Sequence, residues 1–308
     1  FAAIGAAYGG AACAHADRIR DGADPEGPHQ LRVFLRRVRT LLRAFRPAFD
    51  GPRLRRIADD ARALARTAGE LRDADVLVTE IVPDGAAGAG DVSADALEAL
   101  ATRLEDDRRA TRARVLDDLS GPRWSWLTLQ LALFPLVVER AEATGEGPGA
   151  DRPLGEVAVK ALKRAYKKVD RWGRRIEKLS VEERHEMRKA LKGLRYTIEM
   201  FAPLWSSDEV SAYVKQLKRM QDVFGYLNDV ETARGWLSAT AGGTAGAPAL
   251  DFAGAGFEVA PASPTARAAA GIVDWHGKRA DEAWEKARKR WKRFNATPRF
   301  WEDTAPTP

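Results

Sequence analysis

Apolar residues recur every three or four positions through most of this chain, the spacing of an amphipathic helix. In residues 29–47, HQLRVFLRRVRTLLRAFRP, the side chains Leu31, Leu35, Val38, Leu42 and Phe45 fall on one face at about 100° per residue. The same reading predicts helices over 2–20, 28–46, 52–82, 94–119 and 124–141, then over 154–178, 182–202, 207–238 and 266–294. No strand is predicted. Pro47 and Pro203 close two of these helices, because proline cannot continue the hydrogen-bond ladder. The expected fold class is all-α.

The helices repeat. Residues 185–203, HEMRKALKGLRYTIEMFAP, align without a gap on 29–47 at an offset of 156. His29 falls on His185, Arg32 on Arg188, Leu35 on Leu191, Arg36 on Lys192, Arg39 on Arg195, Phe45 on Phe201 and Pro47 on Pro203. The register holds into the next helix, where Gly69–Asp73 meets Gly225–Asp229. Pro122-Arg123-Trp124 is echoed by Pro298-Arg299-Phe300 at an offset of 176, so the second copy carries a longer insertion. Residues 239–266, dense in Gly, Ala and Pro, are the expected insertion, with 83–93 as its shorter counterpart and 144–153 as the linker between copies. The organisation expected is two repeats, 1–143 and 154–308. Four helices in each suggest two four-helix bundles related by a pseudo-twofold axis.

Beside the apolar face of 29–45 runs a stripe of His29, Arg32, Arg36, Arg39 and Arg43. Between Pro28 and Phe49 there are six arginines and no carboxylate. A helix stabilised by surface ion pairs would interleave Glu and Lys; this one concentrates like charge and calls for an anionic partner. Residues 160–178 repeat the pattern. Lys160, Lys163, Arg164, Lys167, Arg171, Arg174 and Lys178 share one face, and Leu162, Ala165, Val169, Trp172 and Ile176 the other. Arg55, Arg62 and Arg66, then Lys215, Lys218 and Arg219, continue the theme, as do the basic residues of 286–293.

Composition narrows the choice. Across 308 residues Lys+Arg number 50 and Asp+Glu 44, so the distribution of charge matters more than its sum. One cysteine, Cys13, leaves no disulfide framework and no cysteine zinc site. No apolar run reaches the roughly 18 residues of a membrane span. No signal peptide is visible, so the cytoplasm is the expected location and no membrane partner is expected. Asp59-Asp60, Asp106-Asp107 and Asp117-Asp118 are carboxylate pairs, but neighbours on a helix diverge by about 100° and do not converge on a metal. No nucleotide-binding or hydrolase motif occurs. Neither a catalytic role nor a cofactor is expected.

The form H-x-x-R-x-x-x-[RK]-x-x-R followed by F-x-P, present twice, resembles the CHAD family, named for conserved histidines in an α-helical domain. His29, Arg32, Arg36, Arg39, Phe45 and Pro47 match it, as do His185, Arg188, Lys192, Arg195, Phe201 and Pro203. Leu71–Asp73 and Leu227–Asp229 fit its L-[RN]-D element. The resemblance implies paired four-helix bundles around a basic groove that binds inorganic polyphosphate, and association with polyphosphate granules. With the stripes, it gives as polyphosphate contacts His29, Arg32, Arg36, Arg39, Arg43, Lys160, Lys163, Lys167, Arg171, His185, Arg188, Lys192, Arg195 and Lys218. Gly193 stands where the first copy has Arg37, and Glu199 where it has Arg43, so the second stripe is shorter. Asp73 and Asp229 are expected to orient stripe arginines or a neighbouring helix end. Nucleic acid or another polyanion remains an alternative ligand, and a helical scaffold an alternative role.

Overall fold

A computed structural model describes residues 1–22, 26–88, 93–144, 152–241, 263–303 and 306. These residues form helices and no strand. The first half contains α1 (Ala2–Asp21), α2 (Glu26–Phe45), α3 (Pro52–Val76), a π-helical turn (Leu77–Ile81), α4 (Val82–Gly88), α5 (Ala94–Ser120), α6 (Pro122–Ala132) and α7 (Phe134–Ala143). The second contains α8 (Leu154–Gly173), α9 (Val181–Phe201), α10 (Ser207–Ala241), α11 (Pro264–Asn295) and α12 (Phe300–Asp303). Short 3₁₀ turns follow α8 at Ile176–Lys178 and α9 at Ala202–Leu204.

Three expected helices are divided or extended. The span 124–141 breaks at Leu133, two residues before Pro135, which supplies no N–H to the ladder and crowds the preceding turn. The span 154–178 ends its α-helix at Gly173 and finishes as a 3₁₀ turn. Helix continues through 82–88, part of the segment expected as an insertion. The linker expected over 144–153 and the insertion expected over 239–266 lie largely outside the described residues.

The helices form two compact units. One comprises 1–69, 116–221 and 290–308; the other comprises 70–115 and 222–289. Each unit takes helices from both halves of the sequence, so its boundaries differ from those of the repeats 1–143 and 154–308.

In the first unit, α2 sits among α1, α8 and α9. The five apolar positions picked out above, Leu31, Leu35, Val38, Leu42 and Phe45, are all buried. Phe45 stacks on Phe1 with centroids 4.6 Å apart and meets Phe201 at 5.7 Å. Alpha-helix α1 approaches α6 and α7 through glycines. A Cβ on Gly5 would lie 2.2 Å from the Phe134 ring, and one on Gly9 would lie 2.5 Å from Leu131 Cβ. Glycine is disfavoured inside a helix, so its place here is steric. Gly5→Ala is therefore expected to destabilise the protein by about 1–3 kcal/mol, as overpacking does, despite the gain in helix propensity. Chemical denaturation checks the sign; a more stable variant would mean that α1 does not pack this closely.

The second unit holds its own core. Val76, Leu77, Ile81, Leu100 and Leu104 pack with Trp236, Leu237 and Ile272. The π-helical turn places the carbonyl of Ile81 2.7 Å from His276 Nε2. That carbonyl can only accept, so Nε2 carries the proton and donates. The other ring nitrogen, Nδ1, lies 3.0 Å from the Tyr226 hydroxyl. His276 is thereby satisfied at both ends inside the core, 2% exposed.

Candidate functional site

The stripe on α2 follows from its burial pattern. With Leu31, Leu35 and Val38 fixed inward, the residues one position further along the chain are carried to the edge of the core face. Arg32, Arg36 and Arg39 are half-buried and Arg43 is exposed. Arg32 lies flat against α3, where a Cβ on Gly69 would come within 3.2 Å of its guanidinium carbon. The glycine of the repeated Gly-x-Leu-x-Asp element thus leaves room for a stripe arginine.

Helix α9 packs against α2. Its start is fixed by a capping box. The Ser180 hydroxyl accepts from the Glu183 N–H at 3.3 Å, and the Glu183 carboxylate accepts from the Ser180 N–H at 3.0 Å. Ser-x-x-Glu was legible in the sequence and is the local signal that sets this terminus. His29 and His185 then sit in the opening turns of α2 and α9, both half-buried, and neither residue is an N-cap.

The two stripes meet as like charge. Arg36 is held down to a pKa of about 10, first by burial and then by Arg32, Arg188 and Arg39, with Tyr196 opposing. Arg188 is itself 6% exposed. Arg39 is lowered by burial and by Arg43 and Arg62 of α3, against a smaller opposing effect from Asp59. Arg43, although much of its side chain is exposed, is lowered by partial desolvation against the neighbouring helices. Lys168 of α8 is lowered by burial, then by Arg43, Arg164 and Arg171. Chained together, these effects join cations from α2, α3, α8 and α9 into one field. Arg164 also donates to the carbonyl of Ala44 at 3.3 Å, satisfying a carbonyl in the last turn of α2.

An open depression of about 290 Å³ lies beside this field, lined by Arg39, Arg43, Arg55 and Arg62 with Asp50 and Asp59. Asp50 is engaged by Arg46 at 3.3 Å and Arg55 at 3.1 Å, so it neutralises the rim and leaves Arg39, Arg43 and Arg62 in excess.

The structure sorts the expected contacts. Arg32, Arg36, Arg39, Arg43, Arg171 and Arg188 belong to the linked field. Lys192 is half-buried on α9; Lys163, Lys167 and Lys218 are exposed. Lys160 pairs with Glu156 at 3.0 Å one turn away. Arg195 is committed inside the protein, donating to Glu199 at 2.7 Å and to Gln221 at 3.0 Å. Glu199 also accepts from Arg37 at 2.9 Å. The sequence marks Glu199 only as a departure from the stripe; here it bolts α2 to α9. Arg37 also lies 4.9 Å over Phe34 of its own helix, which holds the guanidinium in place. Lys168, Arg62 and Arg164 join the site without belonging to the expected contacts. Their signal was the run of basic residues on α8 and α3, whose bearing depends on how those helices pack.

Among the described residues no group of three or more His, Cys, Asp or Glu is placed to hold a metal ion. No helix among them is long and apolar enough to cross a membrane.

Comparison with known proteins agrees in family and fold. A family profile described as CHAD domain matches residues 3–238. An uncharacterized protein found in two strains of Mycobacterium tuberculosis is 31% identical over 234 residues, covering 71% of this chain and 41% of the relative. The chain thus spans about two fifths of the length of these relatives. The crystal structure of the CHAD domain from the plant Ricinus communis superposes with a TM-score of 0.75 at 24% identity, over 100% of this chain and 92% of that one. PptA from Streptomyces chartreusis superposes with a TM-score of 0.61 at 16% identity, over 94% of this chain and 97% of its own.

Proposed function

The chain belongs to the CHAD domain family, and from that premise we propose that it binds inorganic polyphosphate, without catalysis, through the basic field of α2, α3, α8 and α9. One observation carries the reading. Arg36 is half-buried among Arg32, Arg39 and Arg188, and its pKa falls to about 10. Guanidiniums gathered this closely repel one another, and a bound anion would relieve that repulsion. A phosphate chain suits the arrangement, because it offers closely repeated negative charge and no bases to read. Arginine adds forked donors that match phosphate oxygens. His29 and His185 open the two stripes as further donors, with Lys163, Lys167, Lys192 and Lys218 as outlying charge. Association with polyphosphate granules belongs to the same reading.

The duplicated organisation is part of it too. At the offset of 156, α2 falls on residues 182–201 and α9 is observed at 181–201. The start of α3 falls on 208, and α10 begins at Ser207. This agreement supports two related four-helix repeats, each contributing one stripe.

The test is a titration series. Affinity is expected to rise with chain length and level off at on the order of ten phosphates, since His29 to Arg43 spans about 21 Å of helix. Triphosphate should bind far more weakly, and all binding should weaken with salt. In competition at matched charge, long polyphosphate should displace RNA and DNA. A ligand preference for nucleic acid, or no binding at near-physiological salt, would reject the proposal.

A further inference from the structure

The last turns of α11 form a second cationic pocket with the first half of α10. It has a volume of about 300 Å³ and is lined by Gln216, Arg219, Arg290 and Arg293. Several surface arginines of this protein pair with a carboxylate one turn away. Arg174 pairs with Asp170 at 2.8 Å, Arg234 with Glu231 at 3.2 Å and Arg299 with Glu302 at 2.6 Å. The pocket arginines are held differently. Arg290 donates to the main-chain carbonyl of Arg219 at 2.9 Å, and Arg219 donates to the Gln216 amide oxygen at 3.3 Å. Both acceptors are neutral. They fix the direction of each guanidinium and leave its charge intact. The Arg293 side chain makes no ion pair or hydrogen bond among the described residues, and no carboxylate lines the pocket.

We propose that this pocket binds one compact, doubly charged phosphate group, as found in free short phosphates or at the end of a phosphate chain. Three guanidiniums facing one cavity offer many more donors than an internal phosphate of a chain, with its single charge, can use. A terminal group carries more charge and three free oxygens. The Gln216 amide nitrogen, whose oxygen is already engaged, supplies a neutral donor to the same group. Lys215, Lys218, Lys289 and Lys292 are exposed nearby in sequence and raise the local potential. The pocket shares no lining residue with the depression beside α2, so it stands or falls apart from the function proposed above.

The experiment is calorimetric titration of the full chain with pyrophosphate at 0.15 M salt. The parent is compared with an Arg290→Gln, Arg293→Gln double variant, with Arg293→Gln alone, and with Arg140→Gln, Arg152→Gln as a charge-matched control. The double variant is expected to lose at least tenfold in pyrophosphate affinity, Arg293→Gln to lose several-fold, and the control to change by less than twofold. Arg293→Gln touches no internal contact, so it keeps the test valid if the double variant folds poorly. Displacement of bound pyrophosphate by long chains with free ends, and not by chains with amidated ends, would assign the site to chain termini. Lack of displacement by either would assign it to free short phosphates. Parent-like pyrophosphate affinity in Arg293→Gln and the folded double variant, or a loss equal to that of the control, would overturn the proposal. Loss of long-chain binding in α2 variants, with pyrophosphate binding kept, would show the two sites to be independent.

Discussion

Replacing Arg36, Arg39 and Arg43 together with glutamine is expected to lower the affinity for long polyphosphate by at least a hundredfold at 0.1 M salt. The ligand-free protein should keep its melting temperature or gain. A hydrogen bond to a charged group contributes about 1.5–3 kcal/mol. Three such losses, even well short of additive, exceed the roughly 2.7 kcal/mol that separates a hundredfold in affinity. The salt dependence of the remaining binding should flatten, because fewer counterions are released. The stability argument rests on Arg36. Its pKa in the fold is about 10, below that of an unfolded arginine. A cation whose pKa is lowered by folding destabilises the fold while it is charged, at every pH below about 10. That cost is relieved as pH rises through 10. The stability difference between variant and parent should therefore shrink in denaturant melts taken from pH 8 to pH 11. Parent-like affinity in the triple variant would place the ligand elsewhere.

The parts of this protein legible in its sequence are those fixed by local periodicity. Leu31, Leu35 and Val38 announce the buried face of α2, and once they are inward the arginines beside them have few places to go. The gapless offset of 156 carried the same inference to α9. What the sequence withheld depends on which helix lies against which. Arg195 and Arg39 occupy equivalent places in the repeat, yet Arg195 is held by Glu199 and Gln221 while Arg39 joins the cationic field. The substitution of Glu199 for Arg43 one turn on was visible in the sequence, but the second partner, Gln221 of α10, comes from helix packing. Lys168 enters the site because α8 packs on α2, a fact that helical spacing does not contain. The compact units, too, each draw residues from both halves of the chain, a grouping that local periodicity does not contain.

Arg108→Met is expected to cost about 3–5 kcal/mol in stability, the largest effect among the substitutions considered for the core. Its partner is Asp75, which follows the repeated Leu71–Asp73 element and is 1% exposed. Asp75 Oδ1 accepts from Arg108 Nε at 2.7 Å. Its other oxygen, Oδ2, has no hydrogen-bond partner among the described residues. Burial is the largest influence on this carboxyl and raises its pKa; Arg108 opposes that rise without cancelling it. The guanidinium is therefore what keeps the carboxylate tolerable between Ala74 and Val76, both in the core of the second unit. Removing it leaves a buried charge with only the weaker influence of Arg72 and Arg112 to offset it, which is the costly way to break such a pair. The ion pair of Arg108 with Glu105, at 3.1 Å on a more exposed edge, contributes little by comparison. The sign of the pH dependence follows from the raised carboxyl pKa. The penalty is present while Asp75 is ionised and falls as pH drops through its folded pKa, because a protonated carboxyl needs no cation. Urea melts at pH 8 and pH 5 should thus show a smaller difference between variant and parent at the lower pH. A second substitution, Asp75→Leu in the Arg108→Met background, should recover most of the loss, since an apolar pair of similar volume carries no desolvation cost. A loss below 1 kcal/mol at pH 8, or no recovery in the double variant, would mean that the pair is not what holds this part of the core together.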